Sequence, residues 1–357
     1  MTKNSLLRIL LPTLAALTLS ACGGVFANTS WPGLTADADT VYVAFNQQVY
    51  ALQAENGAER WRFPAEADNS QNFYAPPTLT EDGTLIAGTY DNLLYGIDAN
   101  TGSQAWMYEE ATKSYIGSSV VAGDKVIAPN SDHFLRAVNV NGNSVSTSWS
   151  IETEEGFWSE PLVDGERIFV ASMDKNLYAL DADTGDNIWT FEMGHASLGT
   201  PVLSENGVLY IGTLGSHVLA IDADRGTRIW EAPTDDWVWG SVTYADGVVY
   251  ATDVSGYVYA FDADRGQELW RFDAGGSISG APLAHGDAIF VGNEDGEVVS
   301  LDLQGQLNWR KTPGGRVLSD PVAVGEDLIL FGVIEADDFV YAYDTAGSLQ
   351  WSFSPDN

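Results

Sequence analysis

Three stretches carry acids at a spacing that invites a cation: Asp181-x-Asp183-x-Gly185, Asp222-x-Asp224-x-Gly226 and Asp262-x-Asp264-x-Gly266. Carboxylates two residues apart before a glycine superficially resemble the start of a calcium loop. An EF-hand loop also needs further oxygen ligands and a Glu at its twelfth position, and neither is present here. Asp and Gly are also good tight-turn residues, with Asp accepting hydrogen bonds from its own backbone. We take these stretches as turns and expect no metal site. His133, His195, His217 and His285 are scattered, and none forms a metal-binding pair by spacing. There is no Gly-x-Ser-x-Gly, no phosphate-binding glycine loop and no nucleophile–base signature. No catalytic residue is assigned, and no cofactor is expected.

The one cysteine, Cys22, follows a recognisable leader. Lys3 and Arg8 supply positive charge, and Ile9 to Leu19 is an apolar run of 11 residues interrupted by Pro12. That length suits a signal peptide and is too short to span a bilayer. The run ends in Leu19-Ser20-Ala21-Cys22, which resembles the bacterial lipobox. The resemblance implies cleavage after residue 21, a lipid on the Cys22 thiol, and a short tether over 22–29. Position 23 is Gly rather than Asp, which resembles outer-membrane lipoproteins in cells with two membranes. In a one-membrane cell the chain would sit on the outer face. The expectation is an exported protein held to its membrane by lipid alone.

Net charge is −34, and all 50 acidic residues come after residue 21. Such a field repels phosphate backbones, so nucleic-acid binding is excluded as a function class. It suits cationic partners, or a need for solubility.

The elements that position these residues are repeats. Trp61, Trp106, Trp149, Trp189, Trp230, Trp270, Trp309 and Trp351 fall at intervals of 45, 43, 40, 41, 40, 39 and 42 residues. Within one period, Leu198 to Leu203, Val208 to Gly212, His217 to Ile221 and a run beginning at Arg228 read as four short strands with hairpin-length turns between them. A four-stranded meander of about 40 residues, repeated radially, is a propeller blade. The predicted blades are 30–63, 73–108, 115–151, 157–192, 196–232, 238–272, 277–311 and 317–353. The predicted fold is all-β, a single eight-bladed propeller over 30–357. Both ends hold whole blades, so closure needs no exchanged strand.

Blades are wedges, and a tryptophan on an outer strand fills the widening gap. Each buries about 150–250 Å², an upper bound of roughly 4–6 kcal/mol. A glycine stands four residues before every repeat tryptophan except Trp149, where a positive-φ turn position suits it. Gly142 precedes Trp149 by seven, so a longer outer turn is expected in the third repeat. Repeats seven and eight shorten the turn by one residue, Asp302 to Gly305 and Asp344 to Gly347.

The pattern from Leu177 through Ala179-Leu180-Asp181-Ala182-Asp183-Thr184-Gly185 to Trp189 resembles the PQQ-type propeller repeat with its tryptophan-docking motif. With the lipobox, eight such repeats are similar to the BamB family of outer-membrane lipoproteins that take part in β-barrel assembly. That resemblance implies a non-catalytic, lipid-anchored scaffold, monomeric, with protein partners. The repeat also invites a quinoprotein oxidoreductase reading. Those enzymes, in family terms, are larger, many carry an adjacent-cysteine disulfide over the quinone, and they hold calcium with a Glu, an Asn and an Asp. A second cysteine is missing here, and no such acid set is assignable. A cation- or ligand-sensing propeller is the remaining alternative.

Four tryptophans lie outside the repeat: Trp31, Trp158, Trp237 and Trp239. The last three flank the starts of the inner strands of blades 4 and 6. They are expected to share one face with the turns that hold Asp91, Asp132, Asp174, Asp295 and Asp337. Aromatic anchors in an acidic surround make a candidate binding face. Glu160 and Asp320 precede Pro161 and Pro321 on inner strands and are expected to line the channel.

Overall fold

Short runs of β-formers separated by Asp, Asn and Gly turns pair with their immediate successors. The computed structural model describes residues 30–355. The expected leader 1–21, the tether 22–29 and Cys22 lie outside the described residues. Within them there is no helix, and eight antiparallel sheets follow one another along the chain. The molecule is an eight-bladed β-propeller. Blade 5 is typical, with strands Val202–Leu203, Val208–Thr213, His217–Asp222 and Thr227–Pro233 paired in sequence order.

The middle strands carry the core. Second and third strands are covered on both faces by neighbouring blades, so they are apolar without strict alternation. Small residues closing second strands let the sheets approach: a Cβ at Gly212 would stand 2.1 Å from Val238. Fourth strands face water on one side and alternate accordingly.

Each repeat tryptophan pairs directly with a small residue on the third strand, as Trp189 does with Ala179 and Trp309 with Ser300. A β-bulge immediately follows each such pair, and it re-aims the outer strand. The indole then reaches the next blade. Trp189 Nε1–H donates to the Ala223 carbonyl at 3.0 Å, and Trp230 donates to Ala263 at 2.8 Å. Its ring lies on the next turn's glycine, where a Cβ on Gly226 would come within 2.5 Å of Trp189. The glycine is therefore required twice, for its φ of +61° and for the ring above it. Trp351 closes the circle in the same way, donating to Ala54 at 2.8 Å from blade 8 to blade 1. No strand is exchanged at the seam.

Three expectations need correction. The third repeat's outer turn is not longer. Asn141 pairs with Ser144 around a tight two-residue turn, and the extra residues lengthen the strands to Phe134–Asn141 and Ser144–Glu152. With no Asp-to-Gly turn to receive it, Trp106 makes no indole hydrogen bond to blade 3. It packs instead among Val126, Ala128 and Val138. Blade 8 gains a fifth short strand, Arg316–Val317, because its second strand extends to Leu328–Ile334. Finally, the inner strand of blade 5 pairs only over Val202–Leu203. The preceding residues bend at Gly199 and place Leu198 and Thr200 on the channel wall.

Candidate recognition face and axial cavity

One end of the ring is built by the connections entering each inner strand and by the turns between second and third strands. Backbone hydrogen bonds tie the two together: Met173 N–H to Gly156 O at 3.0 Å, Val254 to Trp237 at 3.0 Å and Glu294 to Ser277 at 2.8 Å. The turns holding the candidate aspartates and the connections holding the candidate tryptophans therefore share a face. The opposite end carries the Asp-x-Asp-x-Gly turns, as shown by Ala182 N–H donating to Glu166 O at 2.8 Å.

On the recognition face Trp158 and Trp237 are 38 % and 49 % exposed, while Trp239 is half-buried. Asp91, Asp295 and Asp337 are exposed. Asp174 is half-spent: its Oδ1 accepts the Asn176 N–H and its Oδ2 the Tyr178 hydroxyl at 2.6 Å. Asp132 departs from the expected surround. It is buried, and both its oxygens accept from the Arg136 guanidinium at 2.8 Å. Burial works to raise its carboxyl, but Arg136 and the Thr112 N–H outweigh burial and hold it below the ordinary range. The sequence does not reveal that Arg136, four residues along, folds back onto it.

The Asp-x-Asp-x-Gly carboxylates serve their own turns. Asp181 Oδ1 accepts from the Asp183 and Thr184 amides, and Asp222 Oδ1 from those of Asp224 and Arg225. The histidines stay apart, with His217 Nδ1 on Gly215 O and His285 Nε2 on Glu326 O.

At the centre of the recognition face a cavity of about 180 Å³ opens into the axis. Equivalent positions in the connections just ahead of the inner strands line it in two tiers. One tier is polar and includes Ser118, Glu160, Thr200, Ser241 and Asp320. The other comes two residues earlier, across a bend at Ala75, Gly117, Ser159, Gly199 and Gly240, and includes Tyr74, Ile116, Trp158, Leu198 and Trp239. Trp31 and Tyr90 complete an aromatic wall with Tyr74, at ring separations of 4.3 and 5.2 Å.

Glu160 and Asp320 come from blades 4 and 8, on opposite sides of an eight-membered ring. Asp320 is exposed to the solvent of the channel mouth although the ring surrounds it, and its Oδ1 accepts the Ala281 N–H at 2.7 Å. Burial raises its carboxyl. Burial first, and the Asp320 charge second, push Glu160 up to about 7 against the opposing pull of Ser118. The sequence expected both acids and their prolines on inner strands; they lie instead in the connections just ahead of Leu162–Asp164 and Val322–Val324, and from there line the channel. It did not place Trp31, Tyr74 and Tyr90 in one wall, although Trp31 and Tyr74 both stand just ahead of inner strands.

The family model PQQ_2, described as "Outer membrane protein assembly factor BamB", matches residues 21–148, 140–204, 174–277 and 254–357. No curated protein sequence matches. Among solved structures, BamB from Moraxella catarrhalis superposes with a TM-score of 0.74 at 22 % identity, over 87 % of this chain and 95 % of that one. The computationally designed Ika8 protein gives 0.73 at 14 % identity, over 89 % and 98 %. The quinohemoprotein alcohol dehydrogenase ADHIIG from Pseudomonas putida HK5 gives 0.71 at 15 % identity, over 85 % of this chain and 71 % of that one. At these identities the likeness is one of fold.

Proposed function

This chain belongs to the family of the outer membrane protein assembly factor BamB, and from that premise we propose that it is a non-catalytic scaffold whose recognition face docks protein partners. Family membership over nearly the whole chain supports the reading. The observation that carries it is the exposure of Trp158 and Trp237 on the same face as Asp91, Asp295 and Asp337. Large aromatics left half in water at the end of a ring of fixed blades have the make-up of interface anchors. In a two-membrane cell the partners would belong to the β-barrel assembly machinery. A lipid on Cys22 would supply the anchor, each buried CH₂ adding about 0.8 kcal/mol.

Two experiments test this. Affinity capture of the full chain from native membranes should retain a barrel-assembly subunit, and Trp158→Ala with Trp237→Ala should lose it. Capture that ignores both substitutions removes this face from the proposal. Separately, Cys22→Ala should move the protein from the membrane to the soluble fraction; unchanged membrane retention would rule out the lipid anchor.

The resemblance to a quinohemoprotein dehydrogenase favours a second reading, quinone-dependent oxidation. The cavity does not fit it. Its lining presents Glu160 and Asp320 but no Asn beside them, and no Lys, Arg or His to meet the carboxylates of the quinone. Titration with PQQ and calcium, followed by dye reduction with alcohols, should give neither binding nor turnover.

A further inference from the structure

We infer that the axial cavity between Glu160 and Asp320 is a binding site for an organic cation, an ammonium or guanidinium group on a short alkyl stem. This goes beyond the scaffold reading and requires no protein partner.

Three features converge on that ligand. The first is charge without a fixed counterion. Two carboxyl groups from opposite blades face one cavity at the open mouth of the channel, and the lining contains no Lys, Arg or His. Asp320 has one backbone donor on Oδ1 and Glu160 has Ser118. Like charges held in such a space are unfavourable until a cation enters. The second is the walls. Trp31, Tyr74 and Tyr90 form a contiguous aromatic wall, and Trp158 and Trp239 enter from other blades. Aromatic faces attract cations, even at solvent-exposed sites. The third is size. A volume of about 180 Å³ is many times what a single water needs, room for a small organic ion.

The same features exclude other classes. An anion meets the wrong sign. A neutral apolar ligand would strand two carboxyl groups. Among the described residues no group of three or more His, Cys, Asp or Glu is placed to hold a metal ion. The burial that raises Glu160 also gives the site a pH response. A bound cation favours the ionised carboxylate, so affinity should rise as pH passes about 7. Asp320, Tyr74 and Tyr90 are the other titratable groups lining the cavity.

The test is calorimetric titration of the detergent-solubilised full chain at low salt. Agmatine should bind at a single site, butylurea at least tenfold more weakly and butyrate not at all. Glu160→Gln combined with Asp320→Asn should weaken agmatine at least tenfold. Glu81→Gln combined with Asp287→Asn removes the same charge from exposed turns at the opposite end and should leave binding unchanged. Trp239→Leu alters a wall without touching charge and should weaken binding severalfold, which keeps the idea testable if the double variant folds poorly. N-acetyl-arginine amide separates the sources: equal binding assigns a polypeptide side chain, selective agmatine binding a free amine, and either supports the site. Equal agmatine binding by the cavity variant and the control variant would overturn it, as would equal binding of butylurea or no binding at all. Trp237 does not line the cavity, so Trp237→Ala should spare agmatine binding even where it abolishes partner capture.

Discussion

At the scale of the residue, the tryptophan–glycine contact explains why the repeat is punctuated as it is. Gly226 adopts φ +61° and carries the Trp189 ring, whereas Gly165 adopts φ +59° with nothing within 4 Å of its missing Cβ. Alanine at Gly165 should therefore cost only left-handed strain, about 1 kcal/mol. Alanine at Gly226 should cost that and the displaced indole, about 2–4 kcal/mol in all. Urea denaturation of the two variants checks this; equal losses would mean the ring contact contributes nothing. Glu160 sets a second expectation. Its folded-state value near 7 lies above the ordinary 4.5, so the folded chain holds the proton more tightly than the unfolded one. Its share of stability is whole below 4.5, falls as pH climbs to about 7 and is constant above, a loss of at most about 3 kcal/mol. Glu160→Gln should flatten the melting temperature across that window relative to the parent, and an unaltered pH profile would contradict the raised value.

At the scale of the element, the blades are joined by one device used seven times and omitted once. Trp61, Trp149, Trp189, Trp230, Trp270, Trp309 and Trp351 donate to a turn carbonyl of the following blade. Trp106, deeply buried beside the lengthened hairpin of blade 3, does not. Phenylalanine keeps most of the apolar surface and removes the donor. Trp230→Phe should lose about 1 kcal/mol more than Trp106→Phe, the net worth of the hydrogen bond, when both are measured by denaturant titration. The comparison is fair because both indoles are buried. The hairpin of blade 3 thus gains outer-strand length at the expense of the standard latch on its blade 2 side.

At the scale of the molecule, closure joins residues 297 apart in sequence through a contact of the ordinary local kind. An open stack of repeats would unfold from its ends; the ring has no free end while blade 8 is latched. Trp351→Ala should cost about 3–5 kcal/mol and lead hydrogen exchange in blades 1 and 8 to outpace that in blade 5. Uniform protection loss around the ring would show that the seam is no weaker than the other junctions.

Within each blade almost everything was legible beforehand, because meander strands pair with their chain neighbours and the determinants lie inside one period of about 40 residues. The blade number, the eight tryptophans, the turn glycines and the sharing of one face by Trp158, Trp237 and the turn aspartates all follow from spacing. What spacing could not supply is which groups meet across the ring. Asp132 looked like its exposed counterparts until Arg136 was seen to fold onto it. Trp106 looked like the other indoles until the next blade proved to lack a turn for it. Glu160 and Asp320, four blades apart, come to face one axial cavity only because the circle closes. Pairings within a repeat are fixed by short chain segments, whereas the charge and enclosure of the axis are properties of all eight blades together, and only the closed ring decides them.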